Sequence, residues 1–397
     1  MCMTDQHYDA FPYPARDPAD EAKRLVTGSP SHPHEIDTVL YGGARDWSQP
    51  FKVLVAGGGT GDGLVMLAQV LADAKAPYEI TYLDQSKAAR EIAEARIAKR
   101  RLKGVRFETG SLVDAADYGS FDYIDCCGVL HHLKDPVAGL KALERALNPG
   151  AGLGFMVYAP SGRSGVYPLQ EAFNGLYGAL PPEEKLEAAK KVMATLPEWH
   201  PFRRNALLSD QLRDPSGFYD LLLYAQDRAY RVDEWLAALG EAGLELTRWD
   251  APALYDLGMI TEVPEGMDPV VAIALCEKLR GTLGKYTGYA QRKGEVSAQV
   301  TVPSMGLVPH LDAPRHVLAK AVAAGKPLKM TTQGVTFRLK LPEEAAAIIG
   351  RIDGKTRLSE IVKASGLEPI GFQALWLKLH KALTATGSLR YSSLGRS

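Results

Sequence analysis

Phe51-Lys52-Val53-Leu54-Val55-Ala56-Gly57-Gly58-Gly59-Thr60-Gly61-Asp62-Gly63, followed at once by Leu64-Val65-Met66-Leu67-Ala68, is the stretch that decides the fold. Val53, Leu54 and Val55 read as a short buried strand, the glycines as a tight turn, and the apolar run from Leu64 as the start of a helix. A backbone without Cβ takes positive φ and lets a ligand lie against the main chain. The start of the following helix presents unpaired N–H groups. Gly57, Gly59 and Gly61 give GxGxG, and no choice of first glycine gives the GxGxxG of a dinucleotide-binding turn. Three glycines in a row of turns also occur without any ligand, so the flanking segments decide.

Downstream, Tyr78-Glu79-Ile80-Thr81-Tyr82-Leu83 alternates and is rich in β-formers, a second strand ending in Asp84. A carboxylate at that point accepts bonds from both hydroxyls of an unphosphorylated ribose; the plainer reading is a turn aspartate. Lys87 to Lys103 reads as a helix whose basic end, Lys99-Arg100-Arg101-Leu102-Lys103, suits the helix dipole better than nucleic acid. A third strand follows at Val105–Gly110 and then Ser111-Leu112-Val113-Asp114. A fourth is Phe121–Gly128, leading to Val129-Leu130-His131-His132-Leu133-Lys134-Asp135-Pro136. A helix over Val137–Leu147, closed by Asn148-Pro149-Gly150, precedes a fifth strand at Gly152–Tyr158. Strands alternating with helices from Lys52 to Tyr158 predict a parallel sheet covered on both faces, with ligands at the carboxyl ends of the strands.

The 397 residues suffice for more than one domain. With 46 basic and 47 acidic residues, the net charge of −1 offers no field for nucleic acid or an anionic membrane. The apolar share of 46% and charged share of 23% are those of a soluble globular protein. The four cysteines, Cys2, Cys126, Cys127 and Cys276, are too few and scattered for a disulfide framework or a zinc site, which fits a reducing cytoplasm. Met1 to His7 lacks the basic and apolar regions of a signal peptide, and no apolar run reaches spanning length.

Taken together, VLVAGGGTGDG, YLDQS, FETGSL, FDYIDCCGVLHHLKDP and ALNPGAGLGFMVY resemble the successive motifs of a class I S-adenosylmethionine-dependent methyltransferase. The leading FPYP segment and IDCCGVLHHLKDP are most similar to the methyltransferase domains often found with tetratricopeptide repeats, although no such repeats occur here. The resemblance implies an α/β fold, a doubly wound Rossmann-like seven-stranded methyltransferase sheet, with S-adenosylmethionine as cofactor. It implies that Gly57, Gly59 and Gly61 face the methionine part, that Asp84 holds the ribose, and that Ser111 and Leu112 flank the adenine. Many relatives carry an aspartate where this chain has Ser111, which leaves adenine recognition to a backbone N–H, the Ser111 hydroxyl or Asp114. His131 and His132 stand where the acceptor is placed, and either could act as general base or simply pack at the helix start. Cys126 and Cys127 read as small core residues, and methyl displacement calls for no metal.

The Pro- and aromatic-rich segment Tyr8–Pro18 is expected as an arm over the main domain, with Tyr8, Tyr13 or Arg16 at the ligand. Ser31–Ile36 reads as a helix entry with Glu35 or its neighbours near the glycine loop. Helices over Leu169–Leu180 and Glu183–Leu196 suggest a lid over the acceptor, which makes Tyr158, Tyr167, Phe173, Tyr177, Trp199 and Arg203 candidates to meet it. Val232–Leu239 and Leu244–Trp249 resemble the penultimate helix and strand of the same fold. The expected organisation is 1–50 arm and entry helix, 51–160 cofactor-binding core, 161–230 helical lid, 231–302 end of the core and 303–397 a small winged-helix-like α+β module. In that module a strand at Gly334–Leu341 would turn Phe337, Leu339 and Leu341 toward three helices. Ile352-Asp353-Gly354-Lys355-Thr356-Arg357-Leu358-Ser359-Glu360-Ile361 resembles the peptide-chaperone domain of pyrroloquinoline quinone biosynthesis, which holds peptides by strand addition. The acceptor is therefore expected on a protein or peptide, with a small molecule or a non-catalytic S-adenosylmethionine-binding scaffold as the other readings; a homo-oligomer is compatible with either.

Overall fold

A computed structural model describes residues 10–28, 30–224, 226–295 and 304–395, apart from the side chains of 209–211. Seven strands form one sheet: β1 (Phe51–Ala56), β2 (Tyr78–Asp84), β3 (Val105–Thr109), β4 (Phe121–Cys127), β5 (Leu147–Tyr158), β6 (Leu244–Trp249) and β7 (Lys285–Arg292), in the order β3-β2-β1-β4-β5-β7-β6. The first five run parallel, and β7 enters antiparallel between β5 and β6. Chain order reverses between β1 and β4, so the loops leaving their carboxyl ends diverge and open a crevice there. Helices on both faces bury Val53, Val55, Leu54 and Ile124 completely or nearly so, which explains why these strands read as continuous apolar runs.

Several boundaries differ from expectation; the helix after β2, for one, ends at Lys99 and not Lys103. Asn148-Pro149-Gly150 lies inside β5 rather than closing a helix, because Leu147 already pairs with Phe121 across a register shift and the ladder resumes at Gly152. The preceding helix is Pro136–Arg145, entered through Asp135, whose carboxylate accepts from the Ala138 N–H at 2.9 Å.

Between β5 and β6 the helices Val166–Tyr177, Pro182–Met193 and Pro215–Leu222 build a lid with its own core of Val166, Leu169, Phe173, Leu186 and Phe218. The C-terminal part contains β8 (Pro309–Leu311) paired with β11 (Leu389–Tyr391), a hairpin of β9 (Leu328–Thr332) and β10 (Val335–Leu339), and the helices Arg315–Ala323, Ala345–Ile349, Leu358–Ser365 and Pro369–Ala385. Leu341 joins the core of these helices, but Phe337 does not: it packs into the main core beneath the Arg280 guanidinium, 5.3 Å from its ring, which ties the hairpin to the sheet domain. The expected boundary at 302 lies outside the described residues.

Glu35 is turned away from the glycine loop and pairs instead with Arg390 at 3.0 Å. Thr38 and Tyr391 exchange hydrogen bonds of 2.7 and 2.9 Å, and Ser392 donates to the buried Asp37 carboxylate at 2.6 Å. Beside them His32, His34 and His310 cluster, the last two with ring centroids 3.9 Å apart. Burial, with the Arg390 charge and His310, holds His32 at about 3, and burial likewise lowers His34 and His310. Their folded values lie below the ordinary 6.5, so this contribution is full above pH 6.5 and declines as pH falls toward 3. Lowering pH from 7 to 5 is expected to cost about 2 kcal/mol through His32 alone, opposed by the nearby Asp312, whose carboxyl burial raises. Hydrogen exchange at Pro309–Leu311 and Leu389–Tyr391 should rise accordingly; equal protection at both pH values would refute it.

Candidate functional site

The carboxyl ends of β1, β2, β4 and β5 enclose a cavity of about 580 Å³, within the range of small-molecule sites. Its floor is the glycine loop. Gly57 has φ +72°, and a Cβ there would lie 2.4 Å from Val129; at Gly58 it would lie 2.3 Å from the Tyr82 ring. Tyr82 is itself fixed, its hydroxyl donating to the Gly59 carbonyl at 2.6 Å. Side chains are thus excluded along this face by both conformation and space, and the backbone is what a ligand meets. Gly57 and Gly59 line the cavity. Gly61 is not among the lining residues: it stands behind the loop as the N-cap of the helix Asp62–Asp73, against Ala93.

Asp84 ends β2 on the cavity wall. Its carboxylate accepts from the Gly59 N–H at 2.7 Å and the Ser86 N–H at 2.8 Å. A carboxylate offers about four acceptor positions, so it can hold the loop in shape and still receive ribose hydroxyls. Ser111 and Leu112 line the same end; Ser111 caps the short 3-10 helix Leu112–Tyr118, its hydroxyl accepting from Val113 at 3.4 Å. Asp114 is exposed and does not reach the cavity. Asp84→Ala should weaken S-adenosylmethionine binding by roughly 1–3 kcal/mol, the cost of losing charge-assisted bonds, as read by calorimetry; unchanged affinity would place the ribose elsewhere.

The two histidines part company. His131 is fully buried, stacks on Tyr158 with ring centroids 3.8 Å apart and is not among the cavity-lining residues. Burial, with His132 and Arg163 beside it, holds its basicity far below the ordinary value, so the general-base role does not suit it. His132 does line the cavity, but burial pulls it down to about 3, a weak base at neutral pH. His131, His132 and Asp227 bring ligand atoms within 4.8 Å of one another. Asp227, however, is already paired with Arg163 at 2.6 Å, and that cation opposes a metal ion there.

Further residues complete the wall. Asp125 on β4 and Ser31 stand beside Gly63, and Cys127 opens into the cavity rather than into the core, unlike the buried Cys126. At the far end lie Tyr158, Tyr224 and Asp220, the last from the lid helix Pro215–Leu222. The Tyr158 hydroxyl donates to Asp220 Oδ2 at 3.2 Å, and burial, with the Asp227 charge, lifts the Asp220 carboxyl to about 7. Buried acids of this kind carry no motif, since nothing local distinguishes them from surface aspartates.

Of the other expected contacts, Tyr13 lines the cavity and Arg16 grips Asp62 through two hydrogen bonds of 2.8 and 2.6 Å; Tyr8 lies outside the described residues. Phe11 stacks on Tyr219 of the lid at 4.9 Å, so the arm spans from loop to lid. Tyr158 lines the cavity. Tyr167 accepts from Arg163, Phe173 and Tyr177 stack within the lid, Trp199 is 79% exposed beneath Arg204, and Arg203 donates to the Leu196 carbonyl. Those five serve the lid's own packing and surface.

The glycine cradle, the carboxylates on its rim and the cavity size all fit S-adenosylmethionine. Residues 54–153 match the family described as a methyltransferase domain. An uncharacterized protein, syc1184_c, of Synechococcus sp. is 30% identical over 262 residues, covering 62% of this chain; the chain spans 61% of that relative's length. A tRNA U34 carboxymethyltransferase of Campylobacter hominis is 43% identical over 63 residues, 15% of this chain and 22% of that one. Among solved structures, PKMT2 from Rickettsia typhi in complex with AdoHcy superposes with a TM-score of 0.63 at 16% identity, over 91% of this chain and 75% of that one, a likeness of fold. Residues 54–153 are thus similar in sequence to the methyltransferase domain family, on a fold shared with PKMT2.

Proposed function

We propose that this chain transfers a methyl group from S-adenosylmethionine to a nucleophile on a protein or peptide. One observation carries the reading: a single cavity runs from Gly59, Asp84 and Leu112 at one end to Tyr158, Asp220 and Tyr224 at the other, so donor and acceptor share an enclosed space. When bound, S-adenosylmethionine supplies a methyl group on a sulfonium. Gly57, Gly59 and Asp84 orient it, the lid and arm exclude water, and Asp220 takes the proton that the acceptor sheds. Alignment and water exclusion supply much of the rate in such a displacement. Asp220 adds a base matched to neutral pH.

The protein or peptide acceptor rests on the C-terminal module. Residues 303–397, which resemble a peptide-chaperone domain, are read as the recognition module, and β8 and β9 each pair on one side only, leaving edges for strand addition. A tRNA acceptor is not carried over from the Campylobacter relative, because that match covers 15% of the chain and the net charge is −1. Incubation with labelled S-adenosylmethionine and a cell extract tests the reading: label is expected in protein bands, and label confined to small molecules would overturn it.

A further inference from the structure

Among the described residues, Asp125 is a buried acid on the cavity wall with one carboxylate oxygen left without a hydrogen-bond donor. It sits on β4 in register with Val55, two residues before Gly57, and is 3% exposed. One oxygen, Oδ2, is wedged between Ser31 and Gly63: a Cβ on Gly63 would stand 2.4 Å from it, so that glycine leaves room for the carboxylate. The other, Oδ1, has no hydrogen-bond donor, and among the described residues no lysine or arginine forms an ion pair with Asp125. Of the other acids near the loop, Asp62 pairs with Arg16 and Arg96 and Glu21 with Arg96 and Arg100, while Asp84 accepts from the Gly59 and Ser86 N–H groups. A buried charge without a partner is costly, and burial indeed lifts this carboxyl to about 6.

We propose that Asp125 is the counter-ion of the α-ammonium group of the cofactor's methionine part. This rests on the S-adenosylmethionine reading above and deepens it. The carboxylate lines the cavity, and an ammonium against it supplies the missing positive charge. The position suits it, because the nucleoside is assigned to Asp84 and Leu112 on the far side of the glycine loop, which leaves the Ser31, Gly63 and Asp125 corner for the amino-acid end. A water molecule on Oδ1 would satisfy its hydrogen bonding but not its charge.

Two ligands separate the possibilities: S-adenosylhomocysteine, which carries the ammonium, and 5′-methylthioadenosine, which has the nucleoside and thioether but no amino-acid end. Calorimetry on the full chain should show Asp125→Asn binding S-adenosylhomocysteine about 10- to 100-fold more weakly, as expected for a lost charge-assisted contact, with methylthioadenosine affinity unchanged. Asp84→Ala should weaken both ligands. Equal loss of both ligands in Asp125→Asn, or no loss of either, would overturn the assignment, the first because Asp125 would then only shape the loop. Failure of the unaltered protein to bind either ligand would strike the cofactor reading itself and is told apart by that control.

Discussion

Asp220→Asn is expected to lower the methyl-transfer rate by about 10²- to 10⁴-fold, the usual share of a positioned acid or base, while leaving S-adenosylhomocysteine affinity intact. The amide keeps the volume and can still accept from the Tyr158 hydroxyl, 3.2 Å away, so packing survives and only the capacity to take a proton is lost. The pH profile carries the sign. Burial, with the Asp227 charge, raises the carboxyl to about 7, so below that pH it is neutral and holds a proton already. The rate in the unaltered chain should therefore climb as pH rises through 7 and level above it, and the variant should lack that step. Steady-state rates between pH 5.5 and 8.5, on the acceptor identified by label transfer, check both. A variant retaining half its rate, or retaining the step, would remove Asp220 from the chemistry and return attention to His132.

The part of the fold with strong periodic contrast was legible in the residues. β1 to β4 and the helices between them have apolar runs bounded by Gly, Pro or an N-cap, and apart from the helix after β2, which ends at Lys99 and not Lys103, they stand within a residue or two of expectation. β7 carried no such signal: Lys-Tyr-Thr-Gly-Tyr-Ala-Gln-Arg is polar by composition, yet six of its eight residues are buried because it runs between β5 and β6. Tyr289 shows how: its hydroxyl donates to the Pro30 carbonyl at 2.7 Å, so a polar atom is buried with its partner. β8 was equally silent, three residues that become a strand only when β11 arrives from almost eighty positions away.

The site divides along the same line. The backbone part of the cradle and Asp84 are local in sequence, and their spacing is the signal. The end of the cavity proposed for the acceptor is assembled from β5, the 3-10 turn Leu130–His132 and the helices between β5 and β6, so its groups are set by burial. His131 and His132 looked equivalent because they are adjacent, but a 3-10 turn points neighbours in different directions. One ring goes into the stack on Tyr158 and the other onto the cavity wall. Asp125 and Asp220 resemble any other aspartate until the surrounding chain removes their water.

Asp227→Ala should be the most destabilising single change near the site, by about 3–5 kcal/mol, because it strands a buried cation. The Arg163 and Asp227 side chains are 2% and 0% exposed and meet at 2.6 Å. Gln170 also donates to the same Asp227 oxygen at 3.0 Å, and the Arg163 guanidinium lies 3.7 Å from the Tyr158 ring centroid. Removing the carboxylate leaves the guanidinium with the Tyr167 hydroxyl at 3.0 Å and the Tyr158 ring, neither of which neutralises it. Replacing both partners, Arg163→Met with Asp227→Ala, takes the stranded charge away and should recover a large part of the loss, giving a coupling measurable in a double-mutant cycle by chemical denaturation. The pair also has a functional reach: the Arg228 N–H donates to the His131 carbonyl at 3.1 Å and the Tyr230 N–H to the Tyr158 carbonyl at 2.9 Å, so Asp227 sits in a segment stitched to the acceptor wall. Loosening it should raise KM for the acceptor more than the dissociation constant of S-adenosylhomocysteine, whose proposed contacts are at the opposite end of the cavity. A loss below about 1 kcal/mol, the scale of an exposed pair, would mean that water reaches Arg163 and that the lid is not closed by this bridge.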